Sequence, residues 1–205
     1  MNGGDVVERA MPRFSRLYPM SLRLALLAAM VMPGGCARDT ASGLAAFERA
    51  LAANDSATAA LGAWCAAHAI ASPPVIAAQA IAGPPPPVPH EVRQLLSIAP
   101  LEPVRYRHVR LACGSTVLSV AHNWYVPARL TPDMNRLLDT TDTPFGKVVA
   151  PLGFRRERLA SRHGGDRGCP GGTVLAHRAV LRLADGTAIS VVIECYTRAN
   201  VGRRR

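Results

Sequence analysis

Two segments of the chain have the pattern of a β-hairpin, and each looks like a copy of the other. In residues 104–127 and 174–197, polar and apolar residues alternate on both sides of a glycine-containing turn. This is the period of half-buried strands, and the Asp-Gly dipeptide of the second turn is typical of a type I′ hairpin. Arg107 and Arg178 hold similar places on the strand before each turn. The repeat predicts an α+β domain whose antiparallel sheet is built from two pseudo-repeated hairpins, with helices on one face.

Charged side chains interrupt the faces of both hairpins. Arg107 shares a face of its strand with Val109 and Leu111, and Glu194 lies on the last strand of the second hairpin. A buried arginine without a partner is unstable. We therefore expect Arg107 to meet an anion, either the carboxylate of a ligand or, when the pocket is empty, Glu194. His122 lies among hydrophobic residues of its strand, where it is either a packed core residue or a ligand contact.

The rest of the chain divides into recognisable regions. Capping residues and apolar spacing predict helices over 42–53 and 56–69 and from Thr131 onward, and strand-like segments over 75–81, 148–152 and 154–159. A proline-rich stretch over 84–89 indicates an element boundary. The predicted organisation is a leader over 1–37, a helical N-terminal region with a proline-rich connector over 38–87, one domain over 88–199 and a basic tail over 200–205.

The N-terminal residues have the order of an export signal. Arginines precede an apolar stretch over 24–32, which is too short to span a bilayer, and small residues follow it. This order predicts a periplasmic or exported protein, with cleavage after Ala37 and no stable membrane span. Cys36, which follows Gly34 and Gly35, also allows a lipid anchor. The alternative is a cytoplasmic protein with a frayed tail.

The positive charge does not by itself define a partner. The net charge is +10, but Lys147 is the only lysine, and no helix-turn-helix, zinc-finger or stacking-aromatic motif accompanies the arginines. We therefore expect no nucleic-acid partner. The five cysteines have irregular spacing without a CxxC pair, so a metal site is not expected. In an exported protein they could form disulfides, whose pairing the sequence leaves open.

Three segments, taken in order, are similar to one family. They are the strand that begins at Arg107, the Thr-Pro-Phe-Gly-Lys stretch that ends at Lys147, and the hairpin from His177 to Glu194. They resemble chorismate pyruvate-lyase and equally the effector-binding (UTRA) domains of bacterial transcription regulators, which share that fold. The resemblance covers about residues 88–199.

The resemblance implies a role for several residues of this chain. Arg107 would bind the carboxylate of the ligand, and Glu194 would accept a hydrogen bond from its hydroxyl group. The backbone of Phe145, in a Pro-Phe-Gly turn, would contact the ligand, and Gly146 would permit the close approach.

Two functions follow from the same resemblance. The first is an enzyme that eliminates pyruvate from chorismate to give 4-hydroxybenzoate, in which Arg178 or Lys147 would hold the enolpyruvyl carboxylate by charge. The alternative is an exported, non-catalytic domain of UTRA type that binds an aromatic or sugar acid. In both cases the partner is a small-molecule carboxylate and no cofactor is expected.

Overall fold

The computed structural model describes residues 35–202, with side chains from residue 42 onward. Most of the predicted leader and the arginines of the basic tail lie outside the described residues. Helices are α1 Gly35–Ala52, α2 Ala57–Ala67, α3 His90–Leu96, α4 Pro132–Thr140 and α5 Phe145–Val148, with 3-10 turns at Pro127–Arg129, Ala150–Leu152 and Arg198–Asn200. Strands are β1 Ile76–Ala80, β2 Arg105–Cys113, β3 Thr116–Tyr125, β4 Arg155–His163, β5 Thr173–Arg182 and β6 Ala188–Thr197.

The strands form one antiparallel sheet in the order β1-β2-β3-β6-β5-β4. The predicted hairpins are β2–β3 and β5–β6, and they join through the β3–β6 pair at the centre of the sheet. This arrangement confirms the α+β fold class and the antiparallel sheet built from two hairpins.

Helices cover both faces of the sheet, whereas the sequence predicted helices on one face. On one face, Phe47 of α1 and Leu61 of α2 pack against β2 and β6, and Leu138 of α4 packs with α5 in a neighbouring part of the core. On the other face, Val92 and Leu96 of α3 pack against Trp124 and other apolar residues of the central strands. This double cover explains why β6 is buried along nearly all of its length.

Local capping signals are confirmed at two helices. The Ser56 side chain accepts a hydrogen bond from the Ala59 amide at the start of α2, and Thr131 does the same for Met134 in α4. The predicted strand over 148–152 is wrong. Pro144 has the extended backbone of an N-cap, so the chain enters a helical turn there, and it leaves the following 3-10 turn at Gly153 with φ 64°.

Two disulfides resolve the open question of cysteine pairing. Cys65 of α2 is joined to Cys113 at the end of β2, and Cys169 in the glycine-rich loop is joined to Cys195 of β6. Among residues 35–202, no helix combines the length and the apolar character needed to cross a bilayer.

Candidate functional site

A cavity that is partly open to solvent lies between the sheet and two helices, and its empty space, including some of that solvent, is ≈ 540 Å³. Its floor is formed by β2, β3, β6, β5 and β4, and its roof by the first residues of α2 together with Phe145 and Gly146 of α5. Apolar side chains such as Val109 and Val192 make up much of the wall. The polar and charged lining residues are Asp55, Ser56, Thr58, Arg107, Asn123, Arg156 and Glu194. This is the usual composition of a small-molecule site.

Arg107 is the cation of this cavity that has no carboxylate partner within the described residues. Its guanidinium donates a 3.4 Å hydrogen bond to the backbone oxygen of Thr143. The nearby Asp139 is bound instead by Arg105, at 2.6 Å. Burial lowers the pKa of Arg107 from its ordinary value, yet an arginine retains its charge in proteins. Asp55 also lines the cavity, but it forms no ion pair with Arg107 in the described part of the chain. A bound anion could therefore neutralise the charge of Arg107.

Glu194 lies at the other side of the floor, and its partner is Arg156 of β4. The side chains of Arg156 and Glu194 form a short ion pair and are 6% and 8% exposed, respectively. The hydroxyl group of Tyr196 donates to the same carboxylate oxygen, Oε2, at 3.0 Å. Burial alone would lower the pKa of Arg156, but the Glu194 carboxylate raises it overall. The expectation that Glu194 pairs with Arg107 in the empty pocket is therefore wrong.

The Oε1 atom of Glu194 has no hydrogen-bond partner in the described part of the chain. Glu194 lines the cavity, so this oxygen can accept a hydrogen bond from a ligand. Because Arg156 balances the negative charge of Glu194, this carboxylate can remain buried when no ligand is bound.

His177 of β5 is also buried, and it contacts Arg156, the partner of Glu194. It is 1% exposed, and its Nδ1 accepts a 3.3 Å hydrogen bond from Arg156. Burial, followed by the charges of Arg156 and Arg158, lowers the pKa of His177 to about 3. The ring is therefore neutral at ordinary pH, and its Nδ1 is the acceptor nitrogen.

Gly146 allows α5 to approach α2 closely enough to form the roof. A Cβ atom at Gly146 would lie 2.8 Å from the Ser56 Oγ and 3.1 Å from the Thr58 Oγ1. The predicted residues Arg107, Phe145, Gly146 and Glu194 thus come together around one cavity.

Three other predicted residues do not line the cavity. Lys147 is exposed on α5. Arg178 forms a 2.7 Å ion pair with Glu91 of α3, and α3 packs on the opposite face of the sheet. His122 lies beside Tyr106, which is hydrogen-bonded to its Nδ1 at 2.6 Å, among the aromatic residues of that same opposite face.

Sequence reasoning did not identify Arg156. It stands in the run Arg155-Arg156-Glu157-Arg158, which has the composition of a solvated segment. The one available signal was the strand period: residues 155, 157 and 159 of β4 are exposed, while the Arg156 side chain is buried. The described residues contain no cluster of three or more His, Cys, Asp or Glu side chains that could hold a metal ion.

The fold and the site define an α+β domain with a partly open cavity that is lined by apolar and charged side chains. The chain belongs to the same family as the uncharacterized protein y4mC of Sinorhizobium fredii (strain NBRC 101917 / NGR234). The two are 45% identical over 166 residues, which cover 72% of this chain and 70% of that protein. No protein-family model matches the chain.

Solved structures with some similarity to the chain include two bacterial proteins. The effector domain of PhnF from Mycobacterium smegmatis is 14% identical with a TM-score of 0.46, and the match covers 60% of this chain and 80% of that one. A GntR-family transcriptional regulator from Enterococcus faecalis V583 is 9% identical with a TM-score of 0.40, and the match covers 55% and 87% of the two chains.

Proposed function

We propose that this protein is a non-catalytic binding domain for a small organic monoanion that carries a carboxylate at one end and a hydroxyl group at the other. The observation that carries the proposal is Arg107, a cavity cation without a carboxylate partner in the described residues. Its guanidinium is suited to two-pronged contact with a carboxylate.

The distance between the two polar ends suits a ring compound. Arg107 lies on β2 and Glu194 on β6, with β3 between them. Two strand spacings amount to roughly 10 Å between the backbones. The side chains reach inward from both ends, and the apolar wall between them includes Val109 and Val192. An aromatic ring with a carboxylate opposite a hydroxyl group matches this order of charge, apolar surface and acceptor.

The charge balance favours binding over the lyase reaction. Chorismate has two carboxylates, but Arg156 is already neutralised by Glu194. The residues expected to hold the second carboxylate, Lys147 and Arg178, lie outside the cavity. Arg107 is the remaining cation and Asp55 adds a further negative group to the wall, so a ligand with one carboxylate is better matched than a ligand with two.

The experiment is isothermal titration calorimetry with three matched probes: 4-hydroxybenzoate, benzoate and phenol. We expect 4-hydroxybenzoate to bind most tightly, benzoate to lose the contact to Glu194, and phenol to lose the contact to Arg107. Arg107→Ala should weaken the binding of 4-hydroxybenzoate by about 2–5 kcal/mol, and Arg107→Lys should also bind poorly because it lacks the planar fork.

The matched control is Arg110→Ala, since Arg110 is an exposed arginine of the same strand. It should bind like the wild type. Equal affinity of wild-type protein and Arg107→Ala for every probe would contradict the proposal. Incubation with chorismate separates the two functions: the binding domain leaves chorismate unchanged, and steady release of 4-hydroxybenzoate and pyruvate would establish the lyase instead.

We further infer that the protein works in an oxidising compartment, as the order of residues 13–37 predicts. The support is that all four cysteines after Cys36 are joined in disulfides, which persist outside the cytosol. Thiol labelling of protein from fractionated native cells, before and after reduction, tests this. Export predicts periplasmic protein whose four cysteines react only after reduction. Four reactive thiols on protein from the cytosolic fraction would contradict it.

A further inference from the structure

We propose that Asn123 is a second ligand-binding residue beside Arg107, that its side-chain NH₂ group donates to the same ligand carboxylate, and that Ser190 positions it. The inference rests on the proposed function and names a residue that sets the selectivity of the site. It is carried by the register of the sheet, by hydrogen bonding and by burial.

The register places Asn123 next to Arg107. The two residues are direct cross-strand partners in the β2–β3 pair, and both line the cavity. Side chains that face each other across adjacent antiparallel strands lie on the same face with their Cβ atoms about 5 Å apart. Both side chains therefore border the same part of the cavity.

The hydrogen bonding of Asn123 leaves one half of its amide available. The hydroxyl group of Ser190, a fully buried residue of β6, donates a short hydrogen bond to the Asn123 Oδ1. This contact fixes the orientation of the amide, so that the Nδ2 is directed away from Ser190. Asn123 is 4% exposed, and its Nδ2 has no hydrogen-bond partner within the described residues.

A buried NH₂ group without an acceptor is uncommon because it has lost its hydration and gained nothing in exchange. At a cavity wall beside a guanidinium, the missing acceptor is most simply an oxygen atom of the ligand. An amide also suits the charge balance of the site, because it adds a donor without adding a second positive charge. Arg107 supplies the charge, and Asn123 requires that the bound group present an acceptor oxygen at a fixed place.

The experiment compares Asn123→Ala, Asn123→Asp and Ser190→Ala in calorimetric titrations with 4-hydroxybenzoate and phenol. We expect Asn123→Ala to weaken the binding of 4-hydroxybenzoate by about 10- to 100-fold, as for a lost hydrogen bond to a charged group. Asn123→Asp should weaken it at least as much, because a carboxylate in place of the amide repels the ligand carboxylate. Ser190→Ala should give a smaller loss, and phenol should bind all variants alike.

A measurement on the wild-type protein avoids variants that fail to fold. In ¹H–¹⁵N spectra, the Asn123 side-chain NH₂ resonances should move downfield when 4-hydroxybenzoate is added, and should stay in place when phenol is added. Unmoved resonances in a protein that binds 4-hydroxybenzoate through Arg107 would overturn the role of Asn123 and leave the proposed function standing. Absence of any binding by the wild type would overturn both.

Discussion

The buried, neutral His177 predicts a specific dependence of stability on pH. In the folded protein its pKa lies at about 3, against 6.5 for the ordinary group, because burial and the cations Arg156 and Arg158 disfavour the imidazolium form. The other titratable groups around it, Glu194 and Tyr196, are already held by Arg156 and by each other. In the unfolded chain the histidine is free to take up a proton below its ordinary pKa.

The sign and the size follow from this difference. Since the unfolded state binds the proton and the folded state does not, the free energy of unfolding falls as the pH drops from 6.5 towards 3. Each pH unit in that window removes about 1.4 kcal/mol. Two units, from the ordinary pKa down to about pH 4.5, therefore remove about 2–3 kcal/mol from the histidine alone. Above the ordinary pKa the contribution is constant.

The assay is urea denaturation of the wild type and of His177→Gln at about pH 7.5 and about pH 4.5, with the disulfides intact. Titrating carboxylates affect both proteins equally, so the change in the difference between them isolates His177. We expect the wild type to lose about 2–3 kcal/mol more than His177→Gln between the two pH values. The control, His90→Gln, replaces an exposed histidine and should follow the wild type. If the wild type and His177→Gln lose stability in parallel, His177 is not held neutral and the reasoning is refuted.

Three further perturbations test the packing around the site. Opening the disulfide that joins α2 to β2, with alanine in place of Cys65 and its partner, should lower the free energy of unfolding by about 4 kcal/mol because the cysteines are 48 residues apart; an unchanged melting temperature would contradict this. Arg156→Met should cost about 3–5 kcal/mol, and adding Glu194→Leu should recover much of that loss because no buried charge is then left unpaired; additive losses in chemical denaturation would show that the pair is not coupled. Gly146→Ala should cost about 1 kcal/mol by displacing the Ser56 cap, whose Oγ would lie 2.8 Å from the new Cβ; a gain in thermal stability would show that the roof has room.

The period of the strands predicts which side chains share a face, because a strand alternates regardless of its partners. It correctly groups Arg107 with Val109 and Leu111, and these residues line the cavity together. The pairing of the strands cannot be read in this way. β2 and β3 shift register between Leu111 and Ala112, and this shift determines which face of β3 lies beside Arg107.

The cover on both faces of the sheet explains why His122 was ambiguous. Trp124 and Val126 share its face and are buried under α3, so that face of β3 is as apolar as the face towards the cavity. Hydrophobicity alone cannot distinguish two covered faces. The register of the strands decides between them: the cross-strand partner of Arg107 is Asn123, one residue after His122.

The order of strands accounts for the residue that sequence reasoning missed. β4 lies at one edge of the sheet and reaches Glu194 only across β5. No local pattern reports a contact between residues 156 and 194, because it depends on which strands become neighbours. A long arginine side chain on the buried side of an edge strand can extend beneath its neighbour while the rest of the strand remains solvated.

The N-terminal region is part of the site rather than an accessory to it. Residues 55–58 at the start of α2 line the cavity, although they lie outside the segment that carries the family resemblance. The disulfide from α2 to β2 attaches this roof to the strand that carries Arg107. The strand that carries Arg107 and the helix above it are thereby covalently linked. This link limits how far the roof can move relative to the strand when a ligand binds. A cavity held in this way suits the anion binding proposed above.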